Sequence, residues 1–169
     1  MSLPDQLNSD WSSWMTGEWI GTGEGAVGKA QHLMTVELGL GGQFLLTRYT
    51  SKIVEMSDEH IRYMKDKMNL SEEDIKKIHD SSFEDLGVAT MISGSDEIVV
   101  HVFDSWRTIL RGTGTWDGHK ETIHFNGDNT SGVRTIERVS HDKMFITQEW
   151  DMPDGSLMIE TGELKRVGS

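Results

Sequence analysis

Residues 17–25 read Gly-Glu-Trp-Ile-Gly-Thr-Gly-Glu-Gly, with glycine at every second position beyond a single tryptophan. In an extended strand alternate residues share a face. Gly17, Trp19, Gly21, Gly23 and Gly25 therefore align, and past Trp19 that face carries no side chains. Such a stripe lets another backbone or a ligand approach closely. It suits the sharply bent first strand of a closed barrel.

The rest of the chain is consistent with that start. Leu7, Trp11 and Trp14 are spaced i, i+4, i+7 beside the possible caps Asn8 and Ser9, which predicts a short amphipathic helix plugging one barrel end. Strands are expected at 31–38 and 44–54, divided by Gly39-Leu40-Gly41-Gly42, whose glycines can take the positive φ of a hairpin. Residues 57–86 break the pattern. Ser57 can cap a helix with Ile61, Met64 and Met68 on one stripe. Ser71-Glu72-Glu73-Asp74 resembles a capping box opening a second helix with Ile75 and Ile78. This helical hairpin is expected to lie across a barrel opening as a lid. Strands resume at 88–93, 97–103, 106–116, 121–126, 132–139, 143–152 and 157–167. Turn sequences separate them at 94–96, 117–119, 127–131, 141–142 and Pro153-Asp154-Gly155. The total is ten short strands in sequence. The expected fold is an all-β, ten-stranded up-and-down antiparallel barrel, a closure that removes sheet edges and can leave a cavity. A flattened β-sandwich is the competitor. No repeat or linker divides residues 1–169, so one domain is expected.

Charge excludes some partners. The 169 residues carry 28 acidic against 16 basic side chains, a formal charge of -12. Nucleic acid, which needs a basic stripe, and an anionic membrane surface are both poor partners for such a chain. The absence of cysteine removes disulfide and thiolate chemistry and fits a reducing compartment, so the cytoplasm is the expected location. No apolar run approaches the roughly 20 residues of a membrane-spanning helix, and Met1-Ser2-Leu3-Pro4-Asp5 lacks a basic segment followed by an apolar one.

Gly17-x-Trp19 resembles the first-strand signature of lipocalins, and the longer run to Gly25 is similar to that of nitrobindins, both members of the calycin group. Three further stretches resemble a bacterial family of unknown function with a lipocalin-like barrel. They are Val102-Phe103-Asp104-Ser105, Gly114-Thr115-Trp116-Asp117-Gly118, and Pro153-Asp154-Gly155 before a last strand ending Leu164-Lys165-Arg166. The resemblance implies a calycin barrel that holds a small molecule. Nitrobindins hold haem through a histidine near the start of the last strand. The corresponding place here falls near Ile159, and the last strand contains no histidine, so haem is not expected and no cofactor is assigned. Lipocalins lay an arginine on the signature tryptophan. Strand parity places the start of the first strand beside the end of the last, so Arg166 is expected over Trp19 as a structural closure.

Candidate cavity residues follow from strand placement. Arg48, Tyr49, His101, Trp106, Arg107, His124, Arg134, Trp150 and Met158 all fall in predicted strands that must have an inner face. Inward arginines would suit a ligand with an apolar body and an acidic or carbonyl group. The seven histidines show neither His-x-His nor His-Glu-x-x-His spacing, so no metal site is assigned. Ser105 lacks a nucleophile-elbow pattern. Glu149, Glu160 and Glu163 alternate with apolar residues as solvent-facing strand residues do. The leading expectation is a binding barrel for a small apolar or amphipathic molecule, with a homodimer compatible. A cofactor-free isomerase, lyase or hydrolase acting on a small organic acid is the alternative, and an interaction module with a filled core is a third. Fold alone does not choose among them.

Overall fold

The computed structural model describes residues 5–128, 130–152 and 155–168. The N-terminal Met1-Ser2-Leu3-Pro4 reading, Asn129 and the Pro153-Asp154 turn lie outside the described residues. Helix α1 (Asp10–Met15) precedes β1 (Gly17–Gly25), β2 (Gly28–Gly39), a short 3-10 turn (Leu40–Gly42) and β3 (Phe44–Met56). Helices α2 (Asp58–Asp66) and α3 (Glu72–Asp80) follow, then β4 (Ser82–Met91), β5 (Glu97–Asp104), β6 (Ile109–Trp116), β7 (Lys120–Asn126), β8 (Ser131–Ser140), β9 (Lys143–Asp151) and β10 (Leu157–Arg166). Each strand pairs antiparallel with its sequence neighbour, and β1 closes on β10, giving a ten-stranded barrel. The sandwich alternative is thereby excluded.

Two strand boundaries depart from the sequence reading. Strand β4 begins at Ser82 rather than Val88, so the helical insertion ends five residues before the expected Leu86. The residues Phe83, Asp85 and Leu86 look neutral between helix and strand, and their pairing with β3 decides the matter. Strand β6 begins at Ile109 rather than Trp106, because Arg107 takes φ 66 in a turn whose Asp104 carboxylate accepts the Trp106 and Thr108 amides.

The glycine stripe serves close approach. A Cβ on Gly21 would lie 1.9 Å from the Glu163 carbonyl, and one on Gly23 would lie 2.4 Å from His32 Nε2. Glycine at the first lets β10 close onto β1, and at the second it makes room for an inward imidazole.

One end of the barrel is plugged by α1, whose N-cap Ser9 and Ser12 satisfy each other's backbone amides in a capping box. Trp11, Trp14 and Met15 are buried there with Trp19, Met144, Ile136 and Leu164. Trp14 stacks on Trp116 at 5.4 Å and meets Trp19 edge-on at 5.7 Å. Fully burying one large apolar side chain contributes about 1.5–3 kcal/mol, so this cluster anchors the fold. Arg138 lies 4.8 Å from both the Trp14 and Trp116 rings and pairs with Asp10 at 2.8 Å. Arg166 sits opposite Trp19 in the β1–β10 register, 4.2 Å from its ring. The Arg166 guanidinium also donates to the Trp14 and Thr16 carbonyls, which stitches α1 to the closing strand.

The helical hairpin springs from the opposite end, between β3 and β4. Ser57 caps α2 and also donates to the Ala26 carbonyl, while Ser71 and Asp74 form the expected capping box on α3. Met64 and Ile75 are buried, Ile61 and Ile78 are half-buried, and α3 packs against β3. Met68, placed on the apolar stripe by its spacing, is instead 53% exposed. It stands beyond the end of α2, where the helical period no longer applies.

Candidate functional site

Strand parity assigns the faces. Trp19 and Arg166 point to the core side, so on β10 the even residues Leu164, Gly162, Glu160 and Met158 share that face. On β9 it carries Met144, Ile146, Gln148 and Trp150. Toward the hairpin end the inward set turns polar.

Two cross-strand rows face each other there. On one wall Glu160, Gln148 and Arg134 are register neighbours across β10, β9 and β8. On the other, Tyr49, Asp85 and Asp104 are register neighbours across β3, β4 and β5. A cavity of about 10 Å³, room for roughly one water, is lined by His32, Tyr49, Ile146, Gln148 and Glu160 together with the β10 backbone at 161–162. The Tyr49 hydroxyl and His32 Nδ1 are 2.7 Å apart in a hydrogen bond, with their rings stacked at 5.5 Å. Phe125 and Trp150 form an aromatic wall at 5.7 Å, and the Trp150 indole donates to the Gln148 side-chain oxygen.

Burial controls protonation. It raises the Tyr49 hydroxyl well above its ordinary value, with the Glu160 charge adding to the effect, and lowers the His32 imidazole. Both groups are therefore neutral near pH 7. Asp85 is pushed up to about 6, first by burial and then by the neighbouring Asp104 charge, against the opposing pull of Arg134. Burial alone raises Glu160.

Below this set lies Glu121, 1% exposed. Its two carboxylate oxygens accept from the Trp11 indole at 2.8 Å and from Arg134 at 2.9 Å. A buried carboxylate is tolerable only when so paired. Arg134 thus links the plug helix to the polar half, with its guanidinium 5.3 Å from the Phe125 ring.

The sequence candidates divide. Tyr49, Arg134, Trp150 and Met158 occupy inward register positions and are partly or largely buried. Arg48, His101 and His124 stand exposed on the outer face, because each lies one residue off the inward parity of its strand. Trp106 is 75% exposed and Arg107 is exposed, both in the β5–β6 turn, where Trp106 meets Phe83 edge-on at 5.4 Å. Glu160 corrects the alternation reading. Glu149 and Glu163 are exposed, but Glu160 shares parity with Leu164 and Arg166 and turns inward. His32, Asp85 and Glu121 join the inward set without any motif in the sequence that marks them. Pairing Arg166 with Trp19 would have oriented Glu160, whereas Asp85 was hidden inside a stretch read as helical.

No family profile matches the chain, and no curated protein matches it. Among solved structures, an S-type phycobiliprotein lyase from Guillardia theta matches with TM-score 0.58 at 10% identity, covering 95% of this chain and 92% of that one. At that identity the likeness establishes a shared barrel fold. A protein of unknown function from Nostoc punctiforme covers 95% of this chain and 100% of its own at 8% identity, with TM-score 0.23, too low to bear on the fold.

Proposed function

We propose that this protein is a calycin-type binding barrel whose small, partly apolar ligand occupies the interior toward the hairpin end. The observation that carries this reading is the inward placement of Asp85, Glu160, Tyr49 and His32 in a half-buried polar belt on the same faces as the Phe125–Trp150 wall. A barrel built only to fold would fill that level with apolar side chains, because buried polar groups cost free energy unless fully satisfied. The likeness to a phycobiliprotein lyase supports a barrel of the right architecture for a guest. The free space at the belt, about 10 Å³, is far smaller than the roughly 300–1,000 Å³ of drug-sized sites. Entry therefore requires the hairpin end to open, and α2–α3 is the element that would move as a lid.

A second reading, a cofactor-free isomerase, lyase or hydrolase, is favoured by Asp85 alone. A carboxyl titrating at about 6 beside the cavity residue Tyr49 can take and return a proton near neutrality.

Titrating nitrogen-labelled protein with the neutral probe N-phenylnaphthylamine tests the binding reading. Saturable amide shifts should cluster at His32, Tyr49, Asp85, Gln148, Trp150 and Glu160. An absence of saturable shifts would overturn the proposal. So would shifts confined to the outer groove of about 300 Å³ that Thr22, Val54, Phe145 and Glu163 help to line.

A further inference from the structure

The inward arginines suggested a guest with an acidic group, but the structure commits each of them to another partner. Arg134 is in an ion pair with Glu121. Arg138 pairs with Asp10 between two indoles. Arg166 serves the Trp14 and Thr16 carbonyls and the Trp19 ring. Recruiting Arg134 for an anion would strip a carboxylate that is 1% exposed of its cation, which is strongly unfavourable.

The carboxyls of the polar belt are in the opposite situation. Among the described residues, neither Asp85 nor Glu160 forms an ion pair. Asp85 is flanked by Tyr49 on β3 and Asp104 on β5, with Arg134 acting from across the barrel. Asp104 accepts from the Trp106 and Thr108 amides through its Oδ1. Glu160 is flanked by Gly25 on β1 and Gln148 on β9, and it lines the same cavity as His32 and Tyr49. Burial keeps both His32 and Tyr49 uncharged near neutrality, so neither supplies a counter-charge. On the Glu160 side stands Trp150, whose indole donates to the Gln148 side chain next to Glu160 and whose ring lies 5.7 Å from that of Phe125. Carboxylates next to aromatic faces suit an ammonium or another strong N–H donor on an apolar body, through charge-assisted hydrogen bonds and cation–π attraction.

We infer that the ligand of this barrel is an organic cation, an amine or similarly protonated nitrogen on an aromatic or aliphatic body, held by Asp85 and Glu160. The inference rests on the binding reading above and specifies the charge of its guest. It implies proton linkage: a cationic guest binds the ionised carboxyls, so affinity rises with pH as they lose their protons.

Three probes that share a naphthalene body test it: naphthylmethylammonium, naphthylmethanol and naphthoate, each titrated by calorimetry. At about pH 8 the ammonium probe should bind at least about tenfold tighter than the alcohol and the acid, the scale of one charge-assisted contact. Near pH 5, below the Asp85 midpoint, that preference should shrink several-fold in the unaltered protein. In Asp85→Asn, Glu160→Gln and the double variant the ratio of ammonium to alcohol affinity should fall toward one. Equal or tighter binding of the alcohol or the acid at both pH values would overturn the cation inference while leaving the binding barrel standing. A preference for the ammonium that ignores pH and survives both substitutions would also overturn it. Binding of none of the three, together with no response to N-phenylnaphthylamine, would remove the binding reading itself. The pH series needs no variant, so a variant that fails to fold does not spare the inference.

Discussion

The two halves of the barrel interior solve the same problem in opposite ways. At the plug end each buried charge faced inward has a partner within bonding distance: Glu121 has Trp11 and Arg134, Arg138 has Asp10, and Arg166 has two carbonyls and an indole. At the level of the belt, Asp85 and Glu160 are half-buried, form no ion pair among the described residues, and hold their protons above the usual carboxylate range. The first half is built for stability and the second withholds it. On the proposed binding reading such asymmetry is the mark of a site, since carboxyls awaiting a guest lack a counter-ion until it arrives. The plug half, by contrast, leaves only single donors such as Trp14 Nε1 and Arg138 Nε without an acceptor among the described residues.

Substitutions at the two levels should therefore have opposite signs. The largest effect is expected for Glu121→Ala. Both Arg134 and the Trp11 indole would lose their buried acceptor, and chemical denaturation should show a loss of about 3–5 kcal/mol. A loss below about 1 kcal/mol would mean the plug is not held by this network.

Next comes Arg166→Met, which keeps part of the hydrocarbon packing on Trp19 but removes the charge and its bonds to the Trp14 and Thr16 carbonyls. A loss of about 2–3 kcal/mol is expected, with altered tryptophan emission. An unchanged emission spectrum and midpoint would separate barrel closure from that contact.

Asp85→Asn should act the other way and by less. The carboxyl's folded value of about 6 lies above its ordinary value near 4, so the folded state holds its proton more tightly. Its contribution to stability is fully favourable only below about pH 4, declines as pH rises through about 6, and is then a standing cost of about 2–3 kcal/mol. The variant should exceed the parent by up to about 2 kcal/mol at about pH 8 and lose that advantage near pH 4. A destabilised variant at alkaline pH would erase the contrast between the two halves.

Much of this was legible in the residues. Ten turn-linked strands, the plug helix with its cap, the capping box of α3 and the Trp19–Arg166 neighbourhood all follow from local spacing and from strand parity, which are short-range properties. The outward turn of Arg48 was not legible, because β3 carries polar residues on both faces and does not announce which one is buried. One position of register exchanges the whole set. His101 and His124, by contrast, stand opposite the apolar faces Ile98-Val100-Val102 and Ile123-Phe125, whose alternation already points them outward.

The sequence by itself determined ten short antiparallel strands in up-and-down order with a glycine stripe suited to closure, since alternation and turns are local properties. The β1–β10 pairing that closes them and excludes a sandwich is tertiary. Only the tertiary structure decided which polar residues face inward and which of those, among the described residues, form no ion pair. Arg134 answers Glu121 from the adjacent strand while Asp85 lies 36 positions before Glu121 in the chain. Such pairing is set by how the barrel staggers its strands when it closes, a property of all ten together and of no single segment.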